Sequence, residues 1–251
     1  MEASPRRIDI GKVLSETFST YGQHAGVLLG SALIVFVIVG LVNALAYLEG
    51  GLILSLVSVV VSVVGTTLYT GFVVKLVEDV RDGKRDFTVS ELFSSAASAI
   101  GRLIGNGIVK AIAVAIGLVL LIVPGLILLT IWAVTAPAIV VERAGAIDAF
   151  GRSRELVRGN GWPVFAVILI AFIITAVVSG VLNAIGAGIG DAGAIVLGII
   201  AAIVTAPIAA LVASIMFFDL GGGVAAPPPA SAAVPPPPDA PPPPAPAPPG
   251  A

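Results

Sequence analysis

"GIVKAIAVAIGLVLLIVPGLILLTIWAVTAPAIVV", residues 107–141, is the stretch on which the reading of this chain turns. It is apolar almost throughout, with Lys110 as its one charge. As a single helix it would be about 50 Å long, well beyond the roughly 30 Å of hydrocarbon in a bilayer. Pro124 lacks a backbone donor and crowds the preceding turn, so a hairpin break is expected at Pro124 and Gly125. Each half is then about 17 residues, near the short limit for a span. Four further apolar runs lie at 25–48, 52–74, 163–186 and 193–218. The expected fold is an all-α polytopic membrane bundle of six transmembrane helices in three hairpins.

Composition supports that class. Hydrophobic residues make up 57% of the 251 positions and charged residues 11%, with a mean hydropathy of +1.09. A water-soluble domain needs roughly twice that share of charge. A formal net charge of −2 argues against nucleic acid as a partner, because a phosphate backbone needs a basic footprint. There is no cysteine, so disulfides and thiolate chemistry are excluded, and His24 is the single histidine. Residues 1–25 are too polar for the apolar core of a signal peptide, so entry through the first span is expected.

The basic residues test the span count. Lys and Arg stand at 6, 7, 12, 75, 81, 84, 85, 102, 110, 143, 152, 154 and 158. Apart from Lys110, all precede the first span or follow the second or fourth. The three expected tips, at 49–51, 124–125 and 187–192, carry none. The positive-inside rule then puts both termini in the cytoplasm, in an inner or plasma membrane.

Each hairpin follows a polar, amphipathic stretch. Asp9, Thr88 and Asp148 are residue types that cap helices, and a glycine follows each thirteen positions on: Gly22, Gly101 and Gly161. Apolar residues recur behind them at helical spacing, as in Ile10, Leu14, Phe18 and Tyr21. Three repeat units are expected, at about 8–77, 87–141 and 147–218, each an amphipathic interfacial helix followed by a hairpin. Such a helix sinks its apolar face toward acyl chains and turns Lys and Arg to anionic headgroups. Packing on the end of the bundle is the alternative reading. Residues 1–219 then form one membrane domain. Residues 220–251, rich in Pro and Ala, form a disordered cytoplasmic tail, a polyproline spacer or a docking segment for a protein partner.

One segment resembles a known family. "LLIVPGLILL" at 120–129 and "APAIVVERAGAIDAFGRSRELVRGNGWPVF" at 136–165 are similar to the glycerophosphoryl diester phosphodiesterase membrane-domain family and related bacterial multi-span proteins. Pro124, Gly125, Pro137, Glu142, Ala149, Ser153, Leu156 and Gly159 carry the likeness over about 45 residues; Arg154 stands where the family has an aromatic. The resemblance implies a membrane module, and the segment after residue 219 holds no candidate phosphodiesterase domain.

Candidate chemistry is sparse. "GIGD" at 188–191 matches a protease motif, but Asp191 lacks the second intramembrane aspartate that such chemistry requires. Lys110 is a functional candidate because an intramembrane charge is costly, although a lysine near a helix end also snorkels to the headgroups. Glu142 with Arg143, Arg152, Arg154 and Arg158 forms a candidate headgroup or ligand site; the rival reading is that Glu142 ends the fourth span and pairs with an arginine. The spaced glycines Gly26 and Gly30, Gly101 and Gly105, Gly186 and Gly190 are candidates for close helix packing, within the bundle or in a homo-oligomer. No nucleophile, base and metal-ligand set occurs, so no enzyme activity, cofactor or metal is expected. A structural or accessory role, in membrane organisation or partner binding, is the leading expectation. The rival is a small transporter or lipid-handling protein.

Overall fold

The computed structural model describes residues 7–83 and 89–223. The expected cap Thr88 and residues 224–251 of the Pro/Ala tail lie outside them, whereas 220–223, expected in the disordered tail, form ordered turns after the last helix. Every element among the described residues is helical. Six helices, counting Ile122–Val141 as one, are long and apolar enough to cross a membrane.

α1 (Ile10–Gln23) starts as expected, with the Asp9 carboxylate accepting from Lys12 N at 3.0 Å. α2 (Ala25–Glu49) ends at Gly50, whose φ of 66° suits glycine, and α3 (Leu52–Asp82) begins after Gly51. α4 (Val89–Leu120) is one unbroken helix. It absorbs the second amphipathic stretch, so no separate surface helix precedes the third span.

Proline places the breaks that follow. α5 (Ile122–Ile131), α6 (Thr135–Val141) and α8 (Gly161–Ile189) each carry a proline at their third position: Pro124, Pro137 and Pro163. In a first turn the missing N–H costs nothing, and the ring forbids helix continuing from the preceding turn. The hairpin break therefore falls at the extended Leu121, three residues before Pro124. Pro137 likewise interrupts the fourth span at Trp132, Ala133 and Val134, an interruption the sequence reading did not anticipate. α7 (Asp148–Val157) precedes α8, and α9 (Asp191–Asp219) closes the bundle with Pro207 in its interior. Asp148 is the first residue of α7 rather than its cap.

α9 is the hub, packing against α8, α2, α1, α3 and α6. The fully buried side chains gather towards one end of the bundle, in the later parts of α3 (Tyr69, Phe72, Val73, Val74) and α9 (Leu211, Ile215, Met216, Phe217). An aromatic ladder, Phe36–Tyr69–Phe72–Phe93, ties α2, α3 and α4 with centroid spacings of 5.3, 6.2 and 4.7 Å. At this same end α1 lays Ile10, Val13, Leu14 and Tyr21 against the core, and α7 buries Ala149, Leu156 and Val157. Both amphipathic helices thus spend most of their apolar surface on the bundle. The outward faces are strongly apolar, with Ile34 60% and Phe172 67% exposed. Patches of that kind match hydrocarbon and not water.

Candidate functional site

The interrupted fourth span brings most of the sequence candidates together. A helix break leaves backbone groups without partners, which is expensive in an apolar setting. Here side chains from two other helices supply them. The Ser153 hydroxyl on α7 donates to Ile131 O at 2.8 Å and accepts from Val134 N at 3.3 Å. Lys110 on α4 donates to Trp132 O at 2.6 Å. The Trp132 ring lies against Phe150 of α7, with centroids 4.6 Å apart. α7 is therefore wedged beside the break, with its hydroxyl as the plug. Lys110 reaches across to the neighbouring span and does not extend along its own helix to the headgroups.

Glu142 terminates α6 and receives a two-pronged contact from Arg152, Nε to Oε2 at 2.7 Å and Nη2 to Oε1 at 2.8 Å. This parallel fork is the strong geometry for a guanidinium and a carboxylate. Gly223 N also donates to Glu142 Oε1 at 3.0 Å, which fastens the end of α9's extension to the same group. Burial pushes the Glu142 carboxyl up, but its bonds from Arg152 and Gly223, with the Arg152 charge, outweigh that and hold it below its ordinary value. The bond to Glu142 raises the Arg152 guanidinium against the opposing effect of burial.

The loop between α6 and α7 is held by the edge of α4. Arg102 donates to Arg143 O at 2.7 Å, and Asn106 to Ala146 O at 2.8 Å. Arg143 itself adopts φ 56°, a left-handed conformation that is uncommon away from glycine. Its side chain is exposed, as are those of Arg154 and Arg158. The proposed arginine cluster thus divides. Arg152 is committed to Glu142, and the other three present a basic surface.

Ser153, Arg102 and Asn106 were not singled out as site residues in the sequence. The available signal was a hydroxyl among the buried positions of an amphipathic helix, between Ala149 and Leu156. A second cluster was also missed: Arg81 at the end of α3 pairs with Glu16 of α1 and Asp219 of α9, and Lys12 joins Asp219 at 3.4 Å. Asn160 accepts from Ile8 N at 3.1 Å and ties the start of the chain to the α7–α8 turn.

The candidate packing glycines behave unevenly. A side chain on Gly26, Gly30 or Gly101 would meet nothing within 4 Å, and Gly105 has only ordinary contact with Ala146. Gly190 forms the α8–α9 turn at φ 107°, and Gly186 alone of the six is in close contact, against the Gly193 backbone. Close approach between helices elsewhere includes Gly40, Gly65, Gly71 and the facing pair Gly117 and Gly125. Asp191 and Asp79 belong to opposite ends of the bundle. Asp79 on α3 lies about 40 Å along that helix from the α2–α3 tip, whereas Asp191 lines a groove with Tyr47 near that tip.

No curated protein and no solved structure matches the chain. One family model does, over residues 51–187, which takes in α3, the interrupted span, α7 and most of α8. That match covers more than half of the chain, and the chain belongs to this family, described as a domain of unknown function (DUF7847).

Proposed function

We propose that the protein is a non-enzymatic accessory module of the membrane, built to hold a rigid basic face at one end of a six-span bundle. The observation that carries this reading is where the polar side chains are spent. Ser153, Arg102, Asn106 and the Glu142–Arg152 pair all cap interrupted backbone or clamp loops, and Lys110 gives one of its donors to Trp132 O. A catalytic or transport pathway would need such groups turned toward a substrate. The hollows between helices are chiefly apolar in their lining. Arg143, Arg154 and Arg158 supply the exposed charge, suited to anionic headgroups or an acidic partner. The clustering of Lys and Arg favours a cytoplasmic placement for this end and for both termini. The resemblance to phosphodiesterase membrane domains fits a module that accompanies other proteins, with the Pro-rich tail as spacer or dock.

The test is solute flux in proteoliposomes. Vesicles holding the full chain should leak no faster than empty ones across a panel of ions, amino acids and phosphate esters. Robust flux abolished by Lys110→Ala would overturn the accessory reading in favour of a transporter.

A further inference from the structure

Lys110 occupies an unusual position even after its bond to Trp132 is counted. It lines a hollow of about 250 Å³ between α4, α5, α8 and α9, whose other walls include Leu129, Phe172, Thr175, Ala209 and Met216. Thr175 has already given its hydroxyl to carbonyls of its own helix. Among the described residues no carboxylate pairs with the Lys110 ammonium, which has three donors and one bonded acceptor. A charge held against apolar walls calls for an anion. A second hollow, of about 310 Å³, shares Phe172, Thr175 and Ala209 with the first and continues to Ser179. Together they follow α8 for about 16 Å, from Ile168 onward. Met216 lies about 5 Å along α9 from its end at Asp219, which brings the Lys110 hollow near the basic end of the bundle.

We infer that this groove seats one anionic phospholipid, with its phosphate on the Lys110 ammonium and an acyl chain laid along α8 past Phe172 and Thr175 toward Ser179. Charge complementarity selects the head and the apolar floor selects the tail. The outward exposure of Phe172 leaves the tail a route in from the bilayer. This goes beyond the accessory reading: solute flux would overturn that reading and leave the lipid seat standing.

The experiment is native mass spectrometry of the full chain, delipidated in detergent and offered equal dioleoyl-phosphatidylglycerol and dioleoyl-phosphatidylcholine. The wild type should retain the anionic lipid about fivefold over the neutral one, the preference one basic side chain confers. Ala209→Phe, which fills the groove and leaves the Lys110–Trp132 bond intact, should abolish retention. Lys110→Arg should keep the preference and Lys110→Met should erase it, each with folding checked by circular dichroism. If Lys110→Met fails to fold because Trp132 O keeps only the longer bond from the Thr135 hydroxyl at 3.4 Å, Ala209→Phe and Lys110→Arg decide the matter. Equal retention of the two lipids by the wild type, or an unchanged preference in folded Ala209→Phe, overturns the proposal. Displacement of the phospholipid by equimolar oleate also overturns it and assigns the groove to a free fatty acid.

Discussion

Ser153 is the side chain on which the interrupted fourth span most depends. Its oxygen serves a carbonyl and an amide at once, so Ser153→Ala leaves two buried backbone groups unpaired. The expected loss is about 1–3 kcal/mol, read by thermal or denaturant unfolding in detergent. Glu142 contributes through charge, with a definite sign. Its folded-state pKa is depressed, so its stabilisation is present above the ordinary value of 4.5 and is lost as pH falls below it. The wild type should lose melting temperature through that acid window. Glu142→Gln should begin lower, by about 1–3 kcal/mol, and show a smaller acid loss; parallel melting curves of the two below pH 4.5 would refute the assignment. At Arg143 the backbone alone is strained, since the side chain is exposed. Arg143→Gly should stabilise by about 0.5–1 kcal/mol.

At the scale of elements, prolines and glycines are informative only once their position in a helix is known. "PG" marked a break correctly and misplaced it by three residues, because a proline belongs inside the turn it begins. Pro137 was legible by the same rule, and Pro207 breaks it: α9 continues through that proline. Glycine spacing was weaker still. Gly101 and Gly125 are both small residues in apolar helices, yet a Cβ on Gly125 would come within 2.8 Å of the Leu118 backbone and one on Gly101 would meet nothing. Gly125→Ala should therefore destabilise by about 1–3 kcal/mol. Gly101→Ala should be neutral or gain up to about 1 kcal/mol from helix propensity. Equal effects in unfolding experiments would mean that the α4–α5 hairpin is less tightly packed than described.

For the whole molecule, the basic residues and the packed core share one end, and the three hairpin tips, at Gly50–Gly51, Leu121 and Gly190, share the other. The proposed orientation, with the basic end cytoplasmic, predicts that a reporter fused at Asp191 reads as external and one within 84–88 as cytoplasmic. A cytoplasmic signal at Asp191 would break the six-span arrangement. The crowding of α1, α6 and α7 at the basic end also explains why the amphipathic stretches have little apolar surface left for lipid: α9 and the interrupted span occupy most of it.

Hydropathy, the run lengths and the placement of Lys and Arg determined the class, the six spans and the two kinds of end, because each depends on local composition against a slab of known thickness. Asp9 as a helix cap and Glu142 as the partner of an arginine were legible for the same reason, since their partners are near in sequence. What only the tertiary structure decided is where unlike segments meet. Lys110 and Trp132 are 22 positions apart, Ser153 and Ile131 also 22, and Arg81 and Asp219 138. A backbone carbonyl freed by a break accepts from whichever donor packing brings to it, and no periodicity along the chain encodes which helix that will be.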